Sequence, residues 1–440
     1  MSITRCKMII KREKKDRVRI GYIGLGRRGF GMFKNNIAKM NDVDVLWLCD
    51  FDEKKIERAQ ECLVAGGKPQ ARSTTDYKEL LADPDVDAVL VMTGWDTHIE
   101  CALASLRAGK YTAMEVGGAY DISECYALVD AYEQNATPLM MLENCCYGRK
   151  ELMALRMARE GLFGKIVHAA GGYLHYLNEC ELFGNLPAGE TDTTHYRQYN
   201  YLNRNCENYP THEFGPISKV LRINRGNRVL TVSSFASRPA GLKDFSSRHL
   251  PDDYPLKGAD YNQGDIVTTI LTCAGGETVV LTLDTTIPRP YYSRNFTIRG
   301  TLGCCIEEGN GSATFFLEGM KEGVMGNEKE FYEKYDHPLQ AENASIEQNV
   351  GHAENIDWLV LRAFIEAVKA GTDTPIDAYD TATWLAITPL SAASITKGGA
   401  SVEMPDFTRG RWFNREPVVA CKYCLDEVCE DPDIPIIPEI

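Results

Sequence analysis

The sequence predicts an α/β protein in two parts, an N-terminal doubly wound Rossmann domain and a second α+β domain with a mostly antiparallel sheet. Three observations carry that prediction. Over the first 145 or so residues, short apolar runs alternate with helical patterns. The run Gly24-Leu25-Gly26-Arg27-Arg28-Gly29 follows the first of these directly. Beyond about residue 165 the runs lengthen and several alternate apolar with polar residues.

In the first part, residues 18–23, 43–49, 88–93, 111–115 and 138–142 are apolar on both faces and read as buried parallel strands. Helices are expected between them. Residues 52–65 stop at Gly66-Gly67 and residues 96–108 at Gly109, where glycine suits a left-handed cap. Asp121-x-x-Glu124 has the spacing of a capping box opening a helix over 122–133.

In the second part, residues 165–175, 228–237, 265–273, 277–287, 295–299 and 313–317 read as strands, with Gly275-Gly276 and Gly309-Asn310-Gly311 as hairpin turns. Residues 183–208 show no period and predict a long loop near the functional site. Apolar residues at 356, 359, 360, 363, 364, 367 and 368 predict a helix ended by Gly371. The expected division is an N-terminal arm over 1–17, the nucleotide domain over 18–150, a substrate domain over 151–410 whose late helices can pack back on the first, and a surface tail over 411–440.

Composition narrows the function. With 44% hydrophobic and 25% charged residues, the 440-residue chain reads as a soluble globular protein. A net charge of −14 repels nucleic acid and anionic membranes, and the basic stretch Lys11 to Arg19 reads as a solvated arm. No apolar run approaches the roughly 18 residues of a membrane span, and no secretory leader is evident, so a cytoplasmic protein is expected. The fifteen cysteines read as reduced thiols; Cys421, Cys424 and Cys429 lack an evident fourth ligand, and no metal centre is expected.

The glycine run points to a dinucleotide. Gly24 allows the tight turn, Gly26 the approach of a pyrophosphate, and Gly29 close helix–strand packing, while the following helix offers N–H groups to phosphate. Asp50 ends the second strand, 21 residues after Gly29, where a carboxylate meets ribose hydroxyls and repels a 2′-phosphate. NAD is therefore expected over NADP. Glu115 and Glu143 each follow a predicted strand, the edge at which doubly wound sheets bind ligands.

Four further segments occur in order: Met141-Leu142-Glu143-Asn144-Cys145-Cys146-Tyr147-Gly148-Arg149, Gly172-Tyr173-Leu174-His175, Tyr209-Pro210-Thr211-His212 and Pro288-Arg289-Pro290-Tyr291-Tyr292-Ser293-Arg294. With them the chain resembles the NAD-dependent α-N-acetylgalactosaminidases, glycosidases on the glucose–fructose oxidoreductase and inositol dehydrogenase fold. The resemblance implies cofactor contacts at Arg27, Arg28, Asp50, Trp95, His98, Glu115, Val116 and Asn144. It implies substrate contacts at Tyr173, His175, Arg197, Tyr209, His212 and one of Tyr291 or Tyr292, with Tyr292 preferred by counting back from Arg294. His98 also reads as a simple helix start, and His168 and His249 as structural.

The resemblance also implies a redox-neutral mechanism on a glycoside, N-acetylgalactosaminides among the candidates. Hydride leaves sugar C3 for NAD⁺, the acidified C2–H is lost with elimination of the C1 substituent, water adds, and the hydride returns. His212 is the residue suited to moving protons, Tyr209 to taking the C2 proton or orienting the sugar, and Glu143 to acting on water or the leaving oxygen. Sugar dehydrogenases of the superfamily carry Glu-Lys-Pro where this chain has Glu115-Val116-Gly117, so the acid/base lysine is missing. A conventional NAD-dependent sugar or polyol dehydrogenase is the alternative, and a non-catalytic NAD-binding sensor a third reading. Two positions depart from the family: Tyr176 where it has Asp, and Glu213 where it has Gly. Self-association through an open sheet face is expected by analogy of fold.

Overall fold

The computed structural model describes residues 12–178, 182–183, 196–309, 311–340, 356–417 and 421–429. Its first sheet is wholly parallel, in the order β3-β2-β1-β4-β5-β6. The strands are β1 (Val18–Ile23), β2 (Val43–Cys49), β3 (Arg72–Thr74), β4 (Ala88–Val91), β5 (Tyr111–Met114) and β6 (Leu139–Met141). Every residue of β4 and β5 is buried, which is why these segments are uniformly apolar rather than alternating. Helices α1 (Arg27–Asn35), α2 (Glu53–Ala65), α3 (Tyr77–Ala82), α4 (His98–Arg107) and α5 (Ile122–Asn135) lie between the strands. Asp52 and Asp76 cap α2 and α3, and Asp121 with Glu124 forms the reciprocal box on α5. Gly67 and Gly109 both take φ +72°, whereas Gly66 keeps φ −82°, so only the second glycine of the pair is left-handed. β3 and α3 add to the expected elements; three residues without an apolar one leave β3 no periodic signature.

The second sheet runs β13-β12-β11-β7-β10-β9-β8-β14. Its strands are β7 (Ile166–Leu174), β8 (Val229–Ala236), β9 (Ile266–Cys273), β10 (Thr278–Asp284), β11 (Thr297–Gly300), β12 (Gly303–Glu307), β13 (Ala313–Leu317) and β14 (Val402–Glu403). All neighbours are antiparallel except the central pair β7 and β10. Alternation is clean in β9, where Val267, Thr269, Leu271 and Cys273 are buried while Ile266 and Ile270 face outward. Among the described residues the helices of this part are α6 (Arg149–Arg159), α7 (Tyr196–Asn203), α8 (Pro210–Val220), α9 (Gly241–His249), α10 (Glu328–Tyr335), α11 (Ile356–Ala370) and α12 (Ala378–Thr396). α8 lies on β7, and Gly171 makes this possible, because a Cβ there would overlap the Glu213 carbonyl. The nearly all-buried α12 packs against α5, β6, α8 and β8, joining the two sheets. No described helix is long and apolar enough to cross a membrane.

Three expectations are corrected. Residues 196–203 of the expected loop are helical as α7, packed through Arg197, Gln198, Asn200 and Tyr201; residues 184–195 lie outside the described residues. The basic stretch is not a solvated arm from residue 12 onward. Arg12 and Lys15 N–H groups donate to the Gly371 and Lys369 carbonyls, and Lys15, Arg17 and Arg19 pair with Asp87, Asp44 and Asp85. The tail is not superficial over 421–429: Tyr423, Cys424, Leu425, Asp426 and Cys429 are buried. Asp426 joins an enclosed network in which Lys219, Arg225 and Arg415 face Asp377, Asp380 and Asp426, three cations for three carboxylates.

Candidate active site

The glycine turn lies where β1 meets α1, with β2 and β4 on opposite sides of β1, so the chain reverses its order there. Crevices at such reversals hold ligands. Gly24 sits at φ +97°, open to glycine at little cost, and a Cβ on Gly29 would overlap the Gly24 carbonyl oxygen. Above Gly26 a Cβ would meet no atom within 4 Å, and no side chain caps α1. The turn therefore leaves a cradle of backbone N–H groups that fits a pyrophosphate. Asp50 is buried and braces this turn, accepting from Leu25 N at 2.7 Å and Asp52 N at 3.0 Å.

Arg27 and Arg28 are exposed at the start of α1. Arg28 spans Glu115 Oε1 at 3.0 Å and both Asp357 oxygens at 2.8 Å, and Asp357 Oδ1 also accepts from Asn144 Nδ2 at 2.6 Å. Burial alone would raise Asp357; the Arg28 guanidinium and the two hydrogen bonds outweigh it and hold the carboxyl below the usual range. Sequence reasoning missed Asp357, which reads as one polar position of an amphipathic helix. Glu115 is buried and its Oε2 accepts from the N–H of buried Val116. Trp95 and His98 are buried beside them, and burial pushes His98 down to about 4, so its ring is neutral. The His98 ring faces the Glu115 backbone, whose hydrogen bond opposes that shift without outweighing burial.

The expected substrate residues gather on the other wall. His212, in the first turn of α8, directs Nδ1 to Glu143 Oε2 at 2.8 Å, although 69 residues separate them. Glu143 is fully buried after β6, and its Oε1 accepts from Cys145 N at 3.0 Å. Burial opposes ionisation of Glu143, but the His212 charge and both hydrogen bonds prevail and hold it below the usual glutamate range. Facing a carboxylate, Nδ1 is the donor, so whenever the ring is neutral this hydrogen bond leaves the lone pair on Nε2. The ring of Tyr209 stacks on Tyr173 at 4.2 Å and meets His212 edge-on at 4.7 Å. The Arg197 guanidinium lies 4.8 Å from the Tyr209 ring and 5.2 Å from Trp95. Both tyrosines are partly open to solvent, but Tyr292 packs against His175 at 5.2 Å and Tyr173 at 6.3 Å, whereas Tyr291 lies 5.7 Å from Arg289. Burial pushes the Tyr209 phenol up, so it is protonated at neutral pH. Cys145 approaches Glu143 and His212 within 4.8 Å, but burial also pushes its thiol up, and Cys146 likewise.

Of the two departures, the Tyr176 ring packs edge-on against Phe245. The Glu213 carboxyl is buried under the site rather than in it, facing Glu207. Burial of two carboxyls against one another raises both, Glu207 to about 8, so the pair holds a proton. Glu207 Oε1 accepts from Tyr209 N at 3.0 Å and so fixes the start of α8. His168 bonds Thr278, and His249 packs on Phe245, both away from the cluster.

Comparison with known proteins follows this division. Residues 147–414 match the family described as glycosyl hydrolase 109, C-terminal domain, and residues 18–142 the oxidoreductase family with an NAD-binding Rossmann fold. A glycosyl hydrolase family 109 protein of Stenotrophomonas maltophilia is 36% identical over 92% of both chains. An alpha-N-acetylgalactosaminidase of Tannerella forsythia is 35% identical over 92% of this chain and 89% of its own. Among solved structures, a levoglucosan dehydrogenase in complex with NADH and levoglucosan superposes with a TM-score of 0.64 at 18% identity, covering 88% of this chain and all of that one. An inositol dehydrogenase homolog with NAD⁺ from Azotobacter vinelandii gives 0.63 at 17%, covering 89% and 99%. At that identity the likeness is one of fold.

Proposed function

The chain belongs to glycosyl hydrolase family 109, and from that membership we propose an NAD-dependent glycosidase working without net redox change, on α-N-acetylgalactosaminides. The observation that carries the reading is the Glu143–His212–Tyr209–Tyr173 cluster beside the glycine turn, with valine at the position of the dehydrogenase lysine.

Bound NAD would supply a hydride acceptor and donor for C3 of the sugar, held by the Gly24–Gly29 turn, Asp50, Glu115 and Asn144. The rest falls to the chain's own side chains. With Nδ1 donating to Glu143, His212 Nε2 takes the proton from C2 and returns it. Glu143 has both oxygens engaged, so it orients and charges His212 rather than reaching water or the leaving oxygen. Tyr209, a neutral phenol stacked on Tyr173, orients the sugar and donates to its oxygens rather than acting as the base. Self-association through the outward face of the second sheet, where Phe235, Ile266 and Ile270 are exposed, belongs to the same reading.

The test is a panel of aryl glycosides incubated with and without added NAD⁺, following aglycone and NADH together. Aglycone release without NADH accumulation supports the reading. Steady NADH formation from free sugars, with no aglycone released, replaces it with the conventional dehydrogenase.

A further inference from the structure

Asp357 lies in the first turn of α11, a helix of the second part of the chain, yet its carboxylate is bound by the first. Arg28 donates to both of its oxygens at 2.8 Å, and Asn144 Nδ2 donates to Oδ1 at 2.6 Å. Arg28 follows β1 and Asn144 follows β6, and β4 and β5 lie between those strands in the sheet. The chain Arg28–Asp357–Asn144 therefore spans the carboxyl edge of four neighbouring strands. Glu115, at the end of β5, supports it by accepting from Arg28 Nε at 3.0 Å.

That span covers one side of the nucleotide crevice. The glycine turn follows β1 and Asp50 follows β2, so a pyrophosphate and its first ribose occupy that flank. The rest of a dinucleotide extends the other way, toward the ends of β4, β5 and β6. The Arg28 charge is already matched there by two carboxylates, in the planar fork that suits carboxylate pairing. Its task is thus to join two parts of the chain rather than to attract an anion.

The helix does not need Asp357 to dock. Arg362 grips Asp42 at 2.7 and 3.0 Å, and Lys369 reaches the same carboxyl at 2.9 Å. The Asp357 side chain is 27% exposed and that of Arg28 49%, so the bridge opens into water without stranding a buried charge. A contact that closes the crevice, opens cheaply and is redundant for packing suits a fastening.

We propose that Asp357 is a cofactor-retaining residue, which through Arg28 and Asn144 straps α11 over the nicotinamide side of the crevice and slows release of the bound dinucleotide. The inference rests on the nucleotide site and is independent of the glycosidase reading, although a cycle that returns its hydride to the same sugar needs slow release. Asp357 has no part in bond breaking.

The experiment loads the full chain with NADH, adds excess NAD⁺, and follows the decay of energy transfer from tryptophan to bound NADH by stopped flow. Asp357→Asn should release NADH at least about tenfold faster than wild type, an effect between those of exposed and buried ion pairs. Arg28→Lys keeps the charge but cannot fork onto both Asp357 oxygens, and should also release it faster. Asp357→Glu restores a carboxylate at a partly exposed helix start and should recover most of the wild-type rate. All three should still take up NADH stoichiometrically in calorimetry, which a misfolded site would not do. Off-rates within about threefold of wild type in Asp357→Asn and Arg28→Lys overturn the strap and leave the glycosidase reading standing. Asp357→Glu as fast as Asp357→Asn points to lost packing and overturns it too. Faster release in the variants, with wild type forming NADH steadily from free sugars and releasing no aglycone, supports the strap and overturns the glycosidase reading alone.

Discussion

Substituting Glu143→Gln keeps the side chain's size and removes its charge, and the structure makes both consequences calculable. The carboxylate serves two donors at once, Cys145 N at 3.0 Å and His212 Nδ1 at 2.8 Å. An amide has one oxygen. If it faces Cys145, its NH₂ points at Nδ1 and forces the proton onto Nε2, the nitrogen assigned to take the C2 proton. If it faces His212, a buried backbone N–H is stranded at a cost of about 1–3 kcal/mol. The expected loss in kcat/KM is about 10²–10⁴-fold, the usual worth of a general base, or roughly 3–5 kcal/mol of barrier. The assay is aglycone release by the NAD-loaded variant across pH 5–9, with denaturant unfolding followed separately from neutral pH down through the acid range below pH 4. Because Glu143 is held below its ordinary value, its contribution to stability is present above about pH 4.3 and lost as pH falls through the lower folded value. Wild type should show that acid loss and Glu143→Gln should not. Activity within about threefold of wild type at every pH, less than ~1 kcal/mol of barrier, would refute the assignment of His212 as a base set by Glu143.

Three other changes follow from the same geometry. Gly29→Ala places a methyl group into the Gly24 carbonyl and 3.0 Å from Met92 Cβ; NAD binding, read by calorimetry, should weaken at least about tenfold, and unchanged affinity would contradict the close-packed turn. Glu213→Gln relieves a buried carboxyl pair. Because both folded values are raised, Glu207 to about 8, the pair's stability is present below about pH 4.3 and lost as pH rises through the raised values. The variant should therefore match wild type near pH 5 and exceed it by about 1–3 kcal/mol at pH 9; parallel pH profiles would show that the carboxyls do not share a proton. Asp426→Asn leaves Lys219 and Arg225 short of a charge partner in an enclosed network, at a cost of about 3–5 kcal/mol in denaturant unfolding. A loss under ~1 kcal/mol would mean that the C-terminal segment is not the clamp its burial indicates.

How much of this was legible depended on whether a signal is local. The parallel strands were readable because β4 and β5 are buried on both faces, and the nucleotide turn because three glycines and Asp50 serve one task within a short stretch. α8 was not read as a helix: Pro210, Gly215 and Pro216 look like breakers, although proline in the first turn costs a helix nothing. The cluster itself is assembled from β6, β7, α7 and α8, and no periodicity records that Glu143 will meet His212. The family resemblance named those residues, yet it could not tell that both Glu143 oxygens are occupied. Asp357 gave no signal, and Glu213 showed only as a departure from the family without its partner Glu207, since their partners lie on other elements or across a helix start. The tail looked superficial because its prolines and acids suit a solvated strand; only the buried partners Lys219 and Arg225 explain Asp426.

The central claim, that a redox cofactor serves a reaction with no net redox change, is tested most directly by hydrolysis in D₂O. The NAD-loaded protein is given an α-N-acetylgalactosaminide, and the released sugar is read by NMR and mass spectrometry. The account predicts deuterium at C2, none at C3, and no free NADH. Released sugar that keeps its C2 hydrogen, or NADH formed in step with product, would contradict it.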